Sequence, residues 1–178
     1  MGGPLLGRAG HARRQTREDR RAAWTSLSVR GRGLRHQPRS DVRPRVFSRL
    51  LAPRLRAISE ACRTHGCKHL FGSDGNLWPL ADALFDGCGM DGYYEIDRGA
   101  GMDLRQLRER FPRLTLMGNI SSRTLHLGTV EEVAAETRNV LEEARELGGV
   151  IVGVSNQVVP QSPPENLLAM LETLHANC

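Results

Sequence analysis

The sequence predicts an α/β fold with a parallel sheet, built from four βα units that match half of an eight-fold (β/α)8 barrel. Three observations carry this. Short apolar runs alternate with segments of helical period from Cys67 to the end of the chain. The runs are nearly continuous in apolar residues, the pattern of strands covered by helices rather than half-exposed ones. Each run ends in a polar turn of Gly, Asn, Asp or Ser before the next helix begins. A four-stranded open layer is the alternative, but no Gly-x-Gly-x-x-Gly turn supports a dinucleotide-binding version of it.

The elements follow in order. Phe47, Leu50, Leu51, Leu55, Ile58 and Cys62 recur at helical spacing and predict a helix to about His65, ended by Gly66. Pro53 sits within it, so the regular helix is expected to start there, where the first turn tolerates proline. Cys67–Gly72 reads as the first strand, Ser73–Asn76 as a turn and Leu77–Phe85 as a helix with Leu80, Ala81 and Leu84 on one face. Met90–Ile96 is β-like, Asp103–Phe111 helical until Pro112, and Leu114–Met117 the third strand. Thr129-Val130-Glu131-Glu132 is a capping box, in which side chains at both ends satisfy orphan backbone donors. Val130, Val133, Ala134, Thr137, Val140, Leu141 and Ala144 are expected to form the buried stripe of the helix it opens. Gly148-Gly149 breaks that helix and Val150–Val154 is the most strand-like segment. Ser162-Pro163-Pro164-Glu165 reads as a second capping box, with Pro at the first helical position.

Composition narrows the class. No run of 18 apolar residues exists, so no membrane partner is expected, and the N-terminus lacks an apolar signal-peptide core. A cytoplasmic location is the expectation. Residues 1–63 hold 16 Arg against four acids, a net of +12, whereas residues 64–178 carry a net of −7. Residues 1–44 show neither helical nor strand period and read as an irregular Arg-, Gly- and Pro-rich leader, disordered or spurious, ahead of a domain over 45–178. A basic arm binding nucleic acid is one reading of that leader. A single lysine in the chain and scarce aromatic interleaving argue against it. Cys62, Cys67, Cys88 and Cys178 form no CxxC pair and read as reduced thiols. The run Cys62-x-x-His65-x-Cys67-x-His69 straddles a helix end and a strand start, so its side chains are not expected to converge on a metal.

In βα barrels, chemistry sits at the C-terminal strand ends. Those ends are Ser73–Asn76, Glu95–Gly101, Gly118–Ser121 and Ser155–Gln157. Tight turns need the same small polar residues, yet four in succession on one rim favour a site. The candidates are Asp74, Gly75, Asn76, Glu95, Gly118, Asn119 and Asn156. Asp74 and Glu95 are the carboxylates expected to line a pocket, and Asn119 and Asn156 neutral groups that orient a substrate. No triad or paired acid is readable, so no catalytic residue is assigned.

Phe71-Gly72-Ser73-Asp74-Gly75-Asn76, then Glu95 with Ala100-Gly101-Met102-Asp103-Leu104, then Leu116-Met117-Gly118-Asn119-Ile120 stand in a recognisable order. Gly128-Thr129 with Glu131-Glu132-Val133 follows, then Ser155-Asn156 ahead of Pro160, Pro163-Pro164-Glu165-Asn166 and Met170. Together these resemble the C-terminal half of the uroporphyrinogen decarboxylase family over about 130 residues. The resemblance implies a TIM barrel and a carboxy-lyase acting on porphyrinogen acetate side chains, without a cofactor. It also implies relatives that move methyl groups to or from corrinoids. In the decarboxylases, the arginines and the Asp that hold the substrate lie in the N-terminal half, and a C-terminal His falls at Asn156 here. In the methyltransferase relatives the zinc ligands fall at Gly72, Asp74 and near Asn156, so no metal is expected. The resemblance thus points to a porphyrinogen or another small molecule as substrate. Four strands leave two unpaired edges, so a fragment inactive alone, or pairing of two copies into a homodimer through those edges, is also expected.

Overall fold

The computed structural model describes residues 22–26 and 43–177. Five strands form one sheet: β1 (Ala22–Ser26), β2 (Lys68–Gly72), β3 (Gly92–Tyr94), β4 (Thr115–Met117) and β5 (Val150–Ile151). All four neighbouring pairs are parallel and the spatial order is the sequence order. A doubly wound sheet reverses its strand order at a switch point, whereas a barrel never does. The arrangement is part of a (β/α)8 barrel, as the sequence predicted.

β1 corrects the reading of 1–44 as wholly irregular. Ala22-Ala23-Trp24-Thr25-Ser26 pairs along its whole length with Lys68–Gly72. The signal was present, because this is the one short stretch free of arginine, glycine and proline that carries an aromatic and a β-branched residue. The rest of the Arg-rich leader up to residue 42, and with it the nucleic-acid-arm reading, lies outside the described residues.

The first helix is continuous but not uniform: α1 (Pro44–Val46) passes through a π-helical stretch (Phe47–Leu51) into α2 (Ala52–Thr64). Pro53 explains the change of winding, since it has no N–H for an i−4 bond and the wider turn before it removes that demand. Regular helix starts at Ala52, one residue from where Pro53 alone would put it. At the other end Gly66 takes φ +64, its N–H reaches Arg63 O (3.1 Å), and Cys67 N–H reaches Cys62 O (2.7 Å). That pair of bonds is a Schellman cap.

Leu77–Phe85 is not the regular helix predicted. It is a turn followed by a π-helical stretch over Asp82–Asp86, because Pro79 interrupts the first turn. Leu80, Ala81 and Leu84 are nonetheless buried. α3 (Leu104–Arg110) starts from Asp103, whose carboxylate accepts from Gln106 N–H. A short α4 (Ser122–Leu127), capped by Ser121, was not predicted. α5 (Val130–Leu147) carries the predicted Thr129/Glu132 capping box. α6 (Pro164–Ala176) does not carry the second one: Pro163 occupies the cap position, and Ser162 Oγ pairs with His126 Nδ1 at 3.2 Å. Asn166 is buried on α6 and donates to Leu125 O (3.1 Å) and Gly128 O (2.8 Å), which latches the last helix to α4.

The core lies between the sheet and the helices. Phe71, Tyr93, Leu116 and Val150 form one register row, and Tyr93 packs on Phe85, which packs on Phe111, each at 5.0 Å between ring centres. Alternation turns their neighbours Gly72, Tyr94, Met117 and Ile151 to the opposite face, toward the barrel axis. Ile151 is 54% exposed there.

One cation ties the bottom of the sheet together. Arg108 on α3 donates to Pro112 O (2.8 Å), Leu114 O (2.9 Å), Gly148 O (2.9 Å) and Gly149 O (3.0 Å). Those carbonyls immediately precede β4 and β5. A Cβ on Gly149 would sit 2.8 Å from Arg108 Nη2, and the residue holds φ +61, so glycine is required twice over. Lysine cannot reproduce the planar fork. Arg108→Lys is therefore expected to destabilise the fold by about 2–3 kcal/mol in urea unfolding; an unchanged midpoint would show that the four bonds contribute nothing.

Candidate functional site

The C-terminal ends of β2 to β5 form one rim. After β2 the chain turns through Gly75, at φ +76, and the Asn76 side chain accepts from Trp78 N–H at 3.0 Å. Asn76 thus closes its own turn instead of facing a ligand. Trp78 in turn donates to Gly101 O at 2.8 Å, joining the β2 loop to the β3 loop. Below them the Tyr93 hydroxyl, wholly buried, donates to Ser73 O at 3.0 Å. Burial, then the charges of Asp97, Glu95 and Asp74, push that phenol well above its ordinary range, so it stays a donor.

Glu95 leaves β3 at φ +65, a conformation that L-residues other than Asn and Asp rarely adopt. It is half-buried, and burial followed by the charge of Asp74 raises its carboxyl above the usual range. Two carboxylates are therefore close enough to repel. Asp74 also receives a long hydrogen bond from Asn156 Nδ2, 3.4 Å, which links loops 82 residues apart. The Asp74–Asn156 link joins the first and last rim turns across the sheet.

Asn119, after β4, is fully buried. Its Oδ1 accepts from Arg98 Nη2 at 3.1 Å, and the same nitrogen reaches Glu143 Oε2 on α5 at 2.9 Å. Because Arg98 offers only donors, the carboxamide is oriented: Oδ1 faces the guanidinium and Nδ2 has no hydrogen-bond partner among the described residues. Gly118 holds φ +133 beside Ser155 and Ile96. Ser155 Oγ accepts from Ser122 N–H at 3.3 Å, fixing the β5 loop against the start of α4.

Asp74, Glu95, Asn119 and Asn156 thus belong to one rim, Gly75 and Gly118 shape its backbone, and Asn76 serves a turn. Arg98 and Tyr94 were missed. Arg98 had a signal, being the only cation in the four rim turns. Tyr94 had none, because its role depends on what lies across from it: a Cβ on Gly72 would meet Tyr94 Cζ at 2.1 Å and Oη at 2.5 Å. That ring fills the space a metal ligand at position 72 would need. The residues at 72, 74 and 156 do not fit the zinc set of the methyltransferase relatives, since Gly72 offers no donor and Asn156 a neutral amide. Among the described residues no group of three His, Cys, Asp or Glu is gathered to hold a metal, and no helix is long and apolar enough to cross a membrane.

Two features lie away from the rim. A groove of about 560 Å³ lined by Trp78, Gln106, Glu109 and Arg110 runs beside α3 and shares only Trp78 with the rim loops. At the opposite end of β2, buried His69 pairs with Ser59 Oγ at 2.7 Å. Asp91 accepts from His69 N–H (2.9 Å) and Lys68 Nζ (2.8 Å). Burial would raise the Asp91 carboxyl, but those two donors outweigh it and hold it low. The bottom face of a barrel carries stability rather than chemistry.

A family model described as uroporphyrinogen decarboxylase matches residues 39–177. The uroporphyrinogen decarboxylase of Anaeromyxobacter sp. is 27% identical over 127 residues, covering 70% of this chain and 34% of that one. The Streptomyces coelicolor enzyme of the same name is 28% identical over 135 residues, covering 74% and 36%. A solved methyltransferase from Methanosarcina mazei superposes with a TM-score of 0.61 at 25% identity, covering 76% of this chain and 38% of that one. The chain spans about a third of the length of the curated relatives it matches.

The raised Glu95 carboxyl fixes a sign. Its folded form binds the proton more tightly than the ordinary 4.5, so its stabilising contribution is full below that value and is lost as pH rises through the raised one. Compared with Glu95→Gln, the protein should gain stability as pH falls from about 8 toward about 4. Urea midpoints across that range would read it, and a pH-independent difference between the two proteins would count against the burial of Glu95.

Proposed function

Because the chain belongs to the uroporphyrinogen decarboxylase family, we propose that its rim is the C-terminal part of a carboxy-lyase site for a porphyrinogen bearing acetate side chains. The observation that carries this is Glu95: a half-buried carboxyl with raised proton affinity, held in a strained conformation at a strand end beside Asp74. Loss of carbon dioxide from a pyrrole acetate requires a proton at the carbon left behind, and a carboxyl whose proton affinity is raised by burial and by Asp74 is suited to supply it. Arg98 adds a cation at the same rim, with Asn119 Nδ2 an oriented donor beside it. Both groups suit carboxylate arms. The substrate is a small molecule, the chemistry needs no cofactor, and the cytoplasm is the setting we assign.

The solved methyltransferase favours a second reading, methyl transfer, which the family resemblance ties to a corrinoid. No step through zinc follows from the residues present. Carbon dioxide release from uroporphyrinogen, measured anaerobically beside methyl transfer from a methylcorrinoid to a thiol, separates the two. Under the first reading Glu95→Gln lowers decarboxylation by about 10²- to 10⁴-fold. An activity untouched by that change would remove Glu95 from the mechanism, and methyl transfer without decarboxylation would replace the first reading by the second.

β1 and β5 have no outer partner strand among the described residues. Such parallel edges present open rows of N–H and C=O groups. We therefore assign a homodimer in which two copies meet through those edges. Light scattering after gel filtration should give twice the 19.7 kDa chain mass. A monodisperse monomer at micromolar concentration would rule the pairing out.

A further inference from the structure

We propose that Cys62 and Cys67 form a dithiol site that reduces a low-molecular-weight disulfide and closes into an intramolecular disulfide of its own. The site lies at the bottom of the sheet, away from the rim, and is independent of the decarboxylase reading.

The two cysteines stand five positions apart, too far for a CxxC turn. The fold brings them together. Cys62 is in the last turn of α2 and Cys67 just precedes β2. Between them Gly66, at φ +64, reverses the chain. Cys67 N–H then donates to Cys62 O at 2.7 Å. With standard bond lengths that contact bounds the Cα separation at about 6.6 Å, inside the span of about 4.4–6.8 Å that a disulfide bridges. The side chains converge as well. This bond defines the Schellman cap, and it joins the two positions whose side chains ordinarily pack on each other. Here both positions hold cysteine, and both thiols are free. Burial, then the charge of Cys67 and then that of Asp91, push the Cys62 thiol up, so the two thiols lie within electrostatic reach. Cys67 Sγ is 3.6 Å from His65 O, a long contact that keeps it beside the cap residue.

The thiols are unequal, and the inequality orders the steps. Cys67 is half-buried, whereas Cys62 is 6% exposed. Cys67 therefore meets the external disulfide. Its thiolate attacks one sulfur, releases one thiol and becomes a mixed disulfide. Cys62, its proton given to solvent, then attacks Cys67 Sγ and expels the second thiol, which takes up a proton. Two protein thiols are oxidised, and the external S–S bond is reduced to two thiols. A buried resolving thiol suits the second step, because its target is already beside it. The closed ring pins the end of α2 to the entry of β2.

The test incubates the folded full chain with oxidised glutathione, alkylates it and digests it with trypsin without reductant. Trypsin cuts after Arg56, Arg63 and Lys68, so the two cysteines fall on separate peptides, Ala57–Arg63 and Thr64–Lys68. Mass spectrometry should show the loss of both free peptides and one linked species, two hydrogens lighter than the pair. Dithiothreitol should restore them. Cys62→Ala should instead hold glutathione on Cys67, and Cys67→Ala should leave Cys62 unmodified. A stable glutathione adduct on Cys67 of the unaltered chain, or a link from Cys67 to Cys88, overturns the proposal. Recovery of both peptides alkylated overturns it too, and leaves the pair as an apolar contact only. Should Cys62→Ala fail to fold, the linked peptide of the unaltered chain decides alone.

Discussion

Arg108 sets the geometry on which everything above it depends. Parallel strands have no hairpins to fix their relative heights, so each must be positioned by the helix that precedes it. A single guanidinium between α3, the entry to β4 and the entry to β5 does this for two strands at once. Because strand starts are fixed there, strand ends are fixed at the other side of the sheet, a few residues away. The rim loops inherit their spacing from a bond network at the opposite face.

That inheritance lets short, small residues build a site. β4 and β5 have three and two residues, so little sheet separates the anchored bottom from the rim. Glu95 tolerates a left-handed conformation only because both flanks are held, Tyr94 by its seat on Gly72 and Ile96 by complete burial. Strain at a half-buried acid is sustained by surrounding packing. The same packing removes part of the water around the carboxyl and, with Asp74, raises its proton affinity. Asn119 shows the other side of this economy: Arg98 consumes its oxygen and orients its nitrogen.

The family relation and the open sheet meet in the same place. A row of residues that a closed barrel would cover looks across the axis, with Ile151 more than half exposed. Closure into a full barrel would bury that row. On the reading proposed above, the rim chemistry and the association of the edges are coupled: a copy that paired with β1 and β5 would also supply the facing half of the substrate surface.

Much of this was written in the sequence. The alternation of apolar runs with helical period, the Thr129/Glu132 cap and the Gly66 stop act through neighbours a few residues away, so they can be read locally. The polar turns after each strand marked the rim for the same reason, and the order of motifs marked the family. What tertiary structure alone decided is every property that depends on residues far apart in the chain. Pro53 changes the winding before it only because α1 and α2 remain one packed helix. Ser162 gives up its capping role because His126, 36 residues away, takes its hydroxyl. Asn76 and Asn119 are the same residue type in similar turns, yet one bonds its own loop and the other is buried under Arg98. Gly72 looked like an absent ligand until the strand register set Tyr94 across it. Local sequence determines which elements form and where they end; the register between them determines which side chains share a space, and the site is made of such shared spaces.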